Sequence, residues 1–240
     1  MKHLLLWLLA CSILTAQTAG PTRGGAASSI PFVFPTQVGS AVYLNCGTQT
    51  SCTSQSFTST AGDLFIVDCN YYFLGINPMS VVDSNGNTLA AEPQISFSIS
   101  ANAASQYSYI LGESGGSVTF TCNFTNSVQD ASTVVIQFHP GTITSLDASN
   151  TVNYPNVLSC NLSPTSPHIN PSAQEFVVWG AIATGSAGTI SGYGIGSYTT
   201  TQDSGQQWYY ADATTPATDI YGFFTASNCT SWGLQIFTFH

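Results

Sequence analysis

Basic side chains are almost absent from this chain: 240 residues hold two Lys plus Arg against eleven Asp plus Glu, and charged residues make up 5% of the total. Lys2 falls at the very N-terminus, ahead of an apolar segment, which leaves Arg23 as the one strongly basic residue beyond that segment. Nucleic acid is an improbable partner, because affinity for phosphate depends on clustered Lys and Arg that release counterions. The composition also argues against an ordinary cytosolic enzyme, which would be about one quarter charged. Long apolar runs are scarce as well. After residues 4–16 no segment approaches the roughly 20 apolar residues of a membrane-spanning helix, so no transmembrane segment is expected in the rest of the chain.

Metal-ligand spacings are missing too. There is no Cys-x-x-Cys pair, and His139, His168 and His240 lie too far apart for a zinc pattern. Glu occurs only as Glu92, Glu113 and Glu175, all isolated. Paired carboxylates for glycoside hydrolysis are therefore not suggested.

What is present begins with an export signal. Met1, Lys2 and His3 precede an apolar run over residues 4–16, the length of a secretory h-region. The chain divides into a signal peptide (1–19), a flexible Gly, Ala and Thr leader (20–30) and a folded domain (31–240). A second reading takes Leu8-Leu9-Ala10-Cys11 as a lipoprotein box that leaves Cys11 lipidated, although Leu at its second position and the short preceding run count against it. Both readings place the protein outside the cytoplasm, secreted or at the cell surface.

Removing or lipidating Cys11 leaves six of the seven cysteines: Cys46, Cys52, Cys69, Cys122, Cys160 and Cys229. An even number in an exported chain points to disulfides. Cys46-Gly-Thr-Gln-Thr-Ser-Cys52 suits a small local loop, while six cysteines allow 15 connectivities in all. Asn123, Asn161 and Asn228 head sequons that would accept glycans in a eukaryotic secretory pathway; in a bacterium, and in a chain this rich in Asn, Ser and Thr, the favoured reading is chance.

The domain shows no helix-period segment. Short β-branched and aromatic runs alternate with Gly, Asn, Asp, Ser and Pro, which predicts an all-β fold: a single antiparallel β-sandwich of about ten or more strands. Leu64-Phe-Ile-Val-Asp-Cys-Asn-Tyr-Tyr-Phe73 reads as a central strand covered on both faces. Asn85-Gly86 predicts a hairpin between residues 80–83 and 87–90, and a Gly-rich turn predicts another between 106–111 and 117–125. Further strands are expected at 134–138, 175–182, 207–210, 219–225 and 232–239, with 141–172 wandering over the surface.

Ala61-Gly62-Asp63 before a hydrophobic strand, Asp83-Ser-Asn-Gly-Asn-Thr88, a Ser-Val-Thr-Phe strand, a Val-Val-Ile strand running on to Ser145-Leu146-Asp147, Glu175-Phe-Val-Val and the closing Trp232-Gly-Leu-Gln-Ile-Phe-Thr-Phe239 follow in order. Over residues 61 to 239 the chain resembles a widespread, largely uncharacterised kind of secreted bacterial β-sandwich module. The resemblance implies a jelly-roll-like fold and carries no catalytic residue; the extra cysteines depart from it.

Four features bear on function. Gly112-Glu-Ser114-Gly-Gly116 has the form of a serine-hydrolase motif, yet the strand-like Ser117-Val-Thr-Phe-Thr follows where an elbow needs a helix, so Ser114 is expected to be a turn residue. Asp83, Asn85 and Asn87 offer alternating oxygens as weak calcium candidates, which Asp63 and Asp68 could complete; the Asn-Gly turn explains the same residues without a metal, and no cofactor is otherwise expected. Trp208, Tyr209, Tyr210 and Trp232 are candidates for stacking on sugar rings, although in a sheet at least one of residues 208–210 points inward. Lastly, the strand around residues 32–43 offers itself for addition to a neighbour's sheet edge. The expected function is extracellular binding of a glycan or surface polymer without catalysis; the alternative is a structural subunit that assembles with copies of itself. A secreted hydrolase comes third.

Overall fold

The computed structural model describes residues 31–72, 77, 79–91, 95–97, 103–154, 175–184, 189–193, 197–203, 206–213, 221–225 and 231–240. These residues form antiparallel sheets and contain no helix. In chain order the strands are β1 (Thr36–Gln37), β2 (Val42–Thr53), β3 (Phe57–Ser59), β4 (Leu64–Tyr72), β5 (Met79–Asp83), β6 (Ala90–Ala91), β7 (Ile95–Phe97), β8 (Ala103–Leu111), β9 (Gly116–Val118), β10 (Phe120–His139), β11 (Leu146–Tyr154), β12 (Glu175–Thr184), β13 (Thr189–Tyr193), β14 (Ser197–Asp203), β15 (Gln206–Ala213), β16 (Tyr221–Thr225) and β17 (Ser231–Phe239). An eight-stranded sheet follows the order β1-β10-β4-β8-β6, with β2 and β5 also on β10 and β7 on β8; a five-stranded sheet follows β11-β17-β12-β15-β14.

The nearly continuous run of β-formers in β4 takes the central place the sequence suggests, because a strand buried on both faces has no use for alternation. Its odd residues Phe65, Val67, Cys69 and Tyr71 join one core with Met79, Val81, Phe120, Cys122 and Phe124. Its even residues Leu64 and Ile66 join another, with Tyr107, Val134, Ile136 and Phe138 of the same sheet and Phe176, Val178, Phe237 and Phe239 of the five-stranded one. Each fully buried Phe or Leu contributes roughly 1.5–3 kcal/mol. The second core therefore ties the two sheets together.

The long strand β10 serves both cores because it is bent. Asp130 adopts a φ of +48°, and its register against β2 and β4 shifts between residues 123 and 132. The first half pairs with β5 and the second with β4. A disulfide between Cys69 of β4 and Cys122 in the first half fastens the bend.

Three expectations need correction. Residues 106–111 and 117–125 do not form a hairpin, because β4 lies between β8 and β10. The Gly-rich link instead passes the start of β4, where the amides of Gly112 and Glu113 both donate to the Asp63 carbonyl. Within 141–172, residues 146–154 are β11, held by pairing with β17 from Leu146↔Phe239 to Tyr154↔Trp232. The segment around residues 32–43 is no free donor: Thr36–Gln37 and Val42 onward pair with the chain's own β10. The Asn85-Gly86 turn is present, with Gly86 at φ +88°, but its ladder is short, and after Leu89 the chain leaves β5 so that β6 pairs with β8.

Candidate functional site

An open groove of about 500 Å³ lies where β6 and β8 meet the segment leading into β11. Thr88, Tyr109, Leu111, Thr144, Ser145 and Leu146 are among the residues that line it. β6 places Ala90 opposite Tyr109, and the Tyr109 ring packs edge-on against Phe239 at 5.4 Å between centroids. The far wall is pinned to the chain's last residue: the amides of Thr144 and Ser145 donate to the His240 carbonyl at 2.7 and 3.1 Å. At the rim, His240 Nε2 is 3.2 Å from Ser145 Oγ, and its Nδ1 is 3.5 Å from Asp147 Oδ1. The groove thus offers one aromatic ring, several hydroxyls, an aliphatic floor and no Lys or Arg. That mixture suits neutral polyhydroxylated ligands, which are held by ring contact and hydrogen bonds.

A second cluster gathers the loops at residues 60–63, 83–87 and 112–116. Asp63 is fully buried and accepts from Thr60 N at 2.8 Å, Gln137 Nε2 at 2.7 Å and His139 Nδ1 at 2.8 Å. Burial alone would raise its pKa, but the His139 hydrogen bond, the Thr60 amide, Gln137 and the His139 charge together hold it below the ordinary carboxylate range. The His139 side chain is half exposed. At a sequence separation of 76, nothing in the sequence pairs Asp63 with His139.

The calcium candidates serve their own turn. Asp83 Oδ1 accepts from the amides of Asn85 and Asn87, and Oδ2 accepts from Asn87 Nδ2, an arrangement in which an Asx side chain stands in for turn backbone. Asn85 Nδ2 donates to Glu113 Oε1 at 2.7 Å. Asp63 is engaged as described, and Asp68, further along the chain in β4, accepts from Ser105 Oγ. Among the described residues no three His, Cys, Asp or Glu side chains converge on a metal position.

Ser114 sits exposed in the turn between Gly112 and Gly115, both at positive φ. Its Oγ lies 3.1 Å from Glu113 Oε1 and 3.3 Å from Asn85 Nδ2. No imidazole among the described residues completes the nucleophile–imidazole pair of a serine hydrolase at this hydroxyl.

Of the six cysteines, Cys46 bonds Cys52, as their spacing suggests, and Cys69 bonds Cys122. Gly47 at φ +71° curls β2 back so that the Cα atoms of Cys46 and Cys52 come within 5.6 Å. Cys160 and Cys229 lie outside the described residues. Of the sequons, Asn123 is paired on both sides within β10, while Asn161 and Asn228 lie outside the described residues. Residues 208–210 run along β15 in register with Gly180, Trp179 and Val178, and Trp232 is opposite Ala183 and Tyr154; the structure describes the backbone of Trp208, Tyr209, Tyr210 and Trp232 and not the direction of their rings. No family model matches the chain, and no curated protein or solved structure shows detectable similarity to it.

Proposed function

We propose that this chain is an exported, non-catalytic β-sandwich of jelly-roll-like topology that binds a glycan or other neutral surface polymer outside the cell. The groove at Tyr109, Thr88, Thr144 and Ser145 carries this reading, since its lining provides an aromatic ring and hydroxyls with no basic side chain. The two disulfides favour an oxidising compartment. Among the described residues Ser114 contacts Glu113 and Asn85 and no imidazole, which favours binding over hydrolysis. So does the resemblance of residues 61 to 239 to secreted modules.

The test is a glycan and polymer array probed with the purified protein and with Thr144→Trp. Thr144 is exposed on the groove wall, so the indole fills the groove without entering either core. Binding by the parent that is lost in the folded variant is the expected result. If the variant binds as well as the parent, or the parent binds no neutral saccharide, the reading falls.

A second reading, a self-assembling structural subunit, is favoured by β2. Its twelve residues carry no charge, no partner pairs with its outer edge among the described residues, and Tyr43 and Leu44 are 37% and 38% exposed. Such an edge, without Lys or Pro to guard it, is a template for another strand. Sedimentation of the parent and of Leu44→Lys separates the two readings: a discrete monomer sinks the subunit, and polymers dispersed by the lysine support it.

A further inference from the structure

Asn85 is the one asparagine of the chain that a glycine follows, and it stands exposed in the turn at residues 83–87. Gly86 holds φ at +88°, and a Cβ added there would meet nothing within 4 Å. With no side chain on Gly86, its amide nitrogen can approach the Asn85 side-chain carbonyl unhindered. That N–H donates to the Asp83 carbonyl at 3.2 Å, the long end of the hydrogen-bond range, so freeing it loses little.

The same side chain is a latch. Asn85 Nδ2 donates to Glu113 Oε1 at 2.7 Å and lies 3.3 Å from Ser114 Oγ, which ties the turn to the link at residues 112–116. Glu113 is buried, and its Oε1 also accepts from the Ser114 amide at 3.0 Å. Behind it, Gly62 N donates to the Glu113 carbonyl and Glu113 N donates to the Asp63 carbonyl. Both tied segments run straight into the groove: Thr88 and Ala90 follow the turn, and Leu111 precedes the link.

We propose that Asn85 is a site of spontaneous deamidation, and that its conversion releases the turn from the link. The Gly86 nitrogen bonds to Asn85 Cγ and closes a succinimide, while the side-chain nitrogen leaves as ammonia with the proton that Gly86 gives up. Water then opens the ring on either side, leaving aspartate, or isoaspartate with the main chain routed through the side chain. Water is the only co-reactant, and nothing is oxidised or reduced. Where an amide donated to Glu113 there then stands a carboxylate, and like charges repel beside a buried carboxylate. Isoaspartate also lengthens the main chain between Asn85 and Asn87, whose amides both donate to Asp83 Oδ1. Any consequence for saccharide binding rests on the groove being the binding site, whereas the conversion and the release do not.

The oxidised full chain is aged in mildly alkaline buffer, and peptide masses and isoaspartate methylation are followed at each asparagine. Asn85 should convert on the order of tenfold faster than Asn126, which is also exposed but is followed by Ser127, because glycine leaves the attacking nitrogen open. Asn85→Gln, which must close a larger ring, should stay unconverted at that position. Asn85→Asp supplies the released state directly. Amide hydrogen exchange at residues 112–116 should quicken about tenfold in that variant and in the aged parent, since a hydrogen bond to a charged group is lost. Conversion at Asn85 no faster than at Asn126 overturns the modification site. Exchange at residues 112–116 that neither ageing nor Asn85→Asp quickens overturns the release. Neither measurement uses a saccharide, so a groove that binds none is a separate failure.

Discussion

Replacing Gly180 with Ala tests the face-to-face packing of the two sheets at a single atom. The added methyl would lie 2.5 Å from Tyr107 Cζ, 2.6 Å from Cε1 and 2.8 Å from the hydroxyl oxygen, where carbon atoms in contact prefer about 3.5–4.0 Å. Tyr107 would have to retreat by about 1 Å, yet it is fully buried, with Phe237 edge-on at 6.1 Å on the facing sheet. Overpacking of this kind costs about 1–3 kcal/mol, or roughly 2–12 °C in Tm for a chain of this size. The sign is diagnostic. Were the sheets further apart, Ala would be the better strand residue and would stabilise by about 0.5–1 kcal/mol. Urea titration of Gly180→Ala, Tyr107→Ala and the double variant completes the cycle. Tyr107→Ala alone should cost about 3–5 kcal/mol, and the double variant should cost little more, giving a coupling of about 1–3 kcal/mol. A stabilising Gly180→Ala, or strict additivity in the double variant, refutes this placement of Tyr107 over Gly180.

Thiol titration of the denatured, unreduced protein should find no more than one free thiol among the six cysteines beyond Cys11, and four or more would contradict the disulfide argument. In the chain-entropy picture, opening Cys69–Cys122, with its separation of 53, should cost about 4 kcal/mol, against about 2 kcal/mol for Cys46–Cys52 with its separation of 6; equal losses in chemical denaturation would count against that ordering. Ser114→Ala should cost about 1 kcal/mol or less and leave binding intact, and labelling of Ser114 by a fluorophosphonate probe would reinstate the hydrolase. The folded pKa of Asp63 lies below its unfolded value, so its contribution to stability is present above the ordinary carboxylate range and is lost as pH falls through the folded value. His139→Ala removes the largest of the effects that lower this pKa and should shift the acid limb of a pH-stability curve upward; an unmoved limb would mean that the pair has no such role.

How much was legible in the sequence depended on how local each feature is. β4 is plain because most of its nine residues favour strand whichever face they occupy, and Cys46–Cys52 is plain because a separation of 6 and an intervening Gly allow the loop. By contrast, β11 holds Asp147, Ser149, Asn150 and Asn153, residues whose local preference is for turns, and its pairing with β17 makes it a strand. The link at residues 112–116 has every mark of a hairpin turn. What it spans is decided by Asp63, far earlier in the chain, whose carbonyl accepts two of its amides. The candidate groove was missed for the same reason, since Thr88, Tyr109 and Ser145 carry no signal singly and are brought together only by the sheets.

The scarcity of basic residues reaches further into the structure than the surface. Asp63, Asp68, Asp83, Glu113 and Glu175 are each at most 5% exposed, although a buried carboxylate is costly without a partner. A chain with no Lys or Arg after residue 23 cannot pair them with the usual cations. Asp83 is held instead by turn amides, Glu113 by Asn85 and Ser114, and Asp63 by an amide, a glutamine and an imidazole. Each of these solutions ties a carboxylate to a particular loop, which explains why the Asn, Ser, Thr and Gln that make the sequence look bland are placed where the acids are. Asp68 differs in lying between two sheets rather than beneath a loop, and there the Ser105 hydroxyl donates to it, so that a neighbouring strand does for this carboxylate what a loop does for the others.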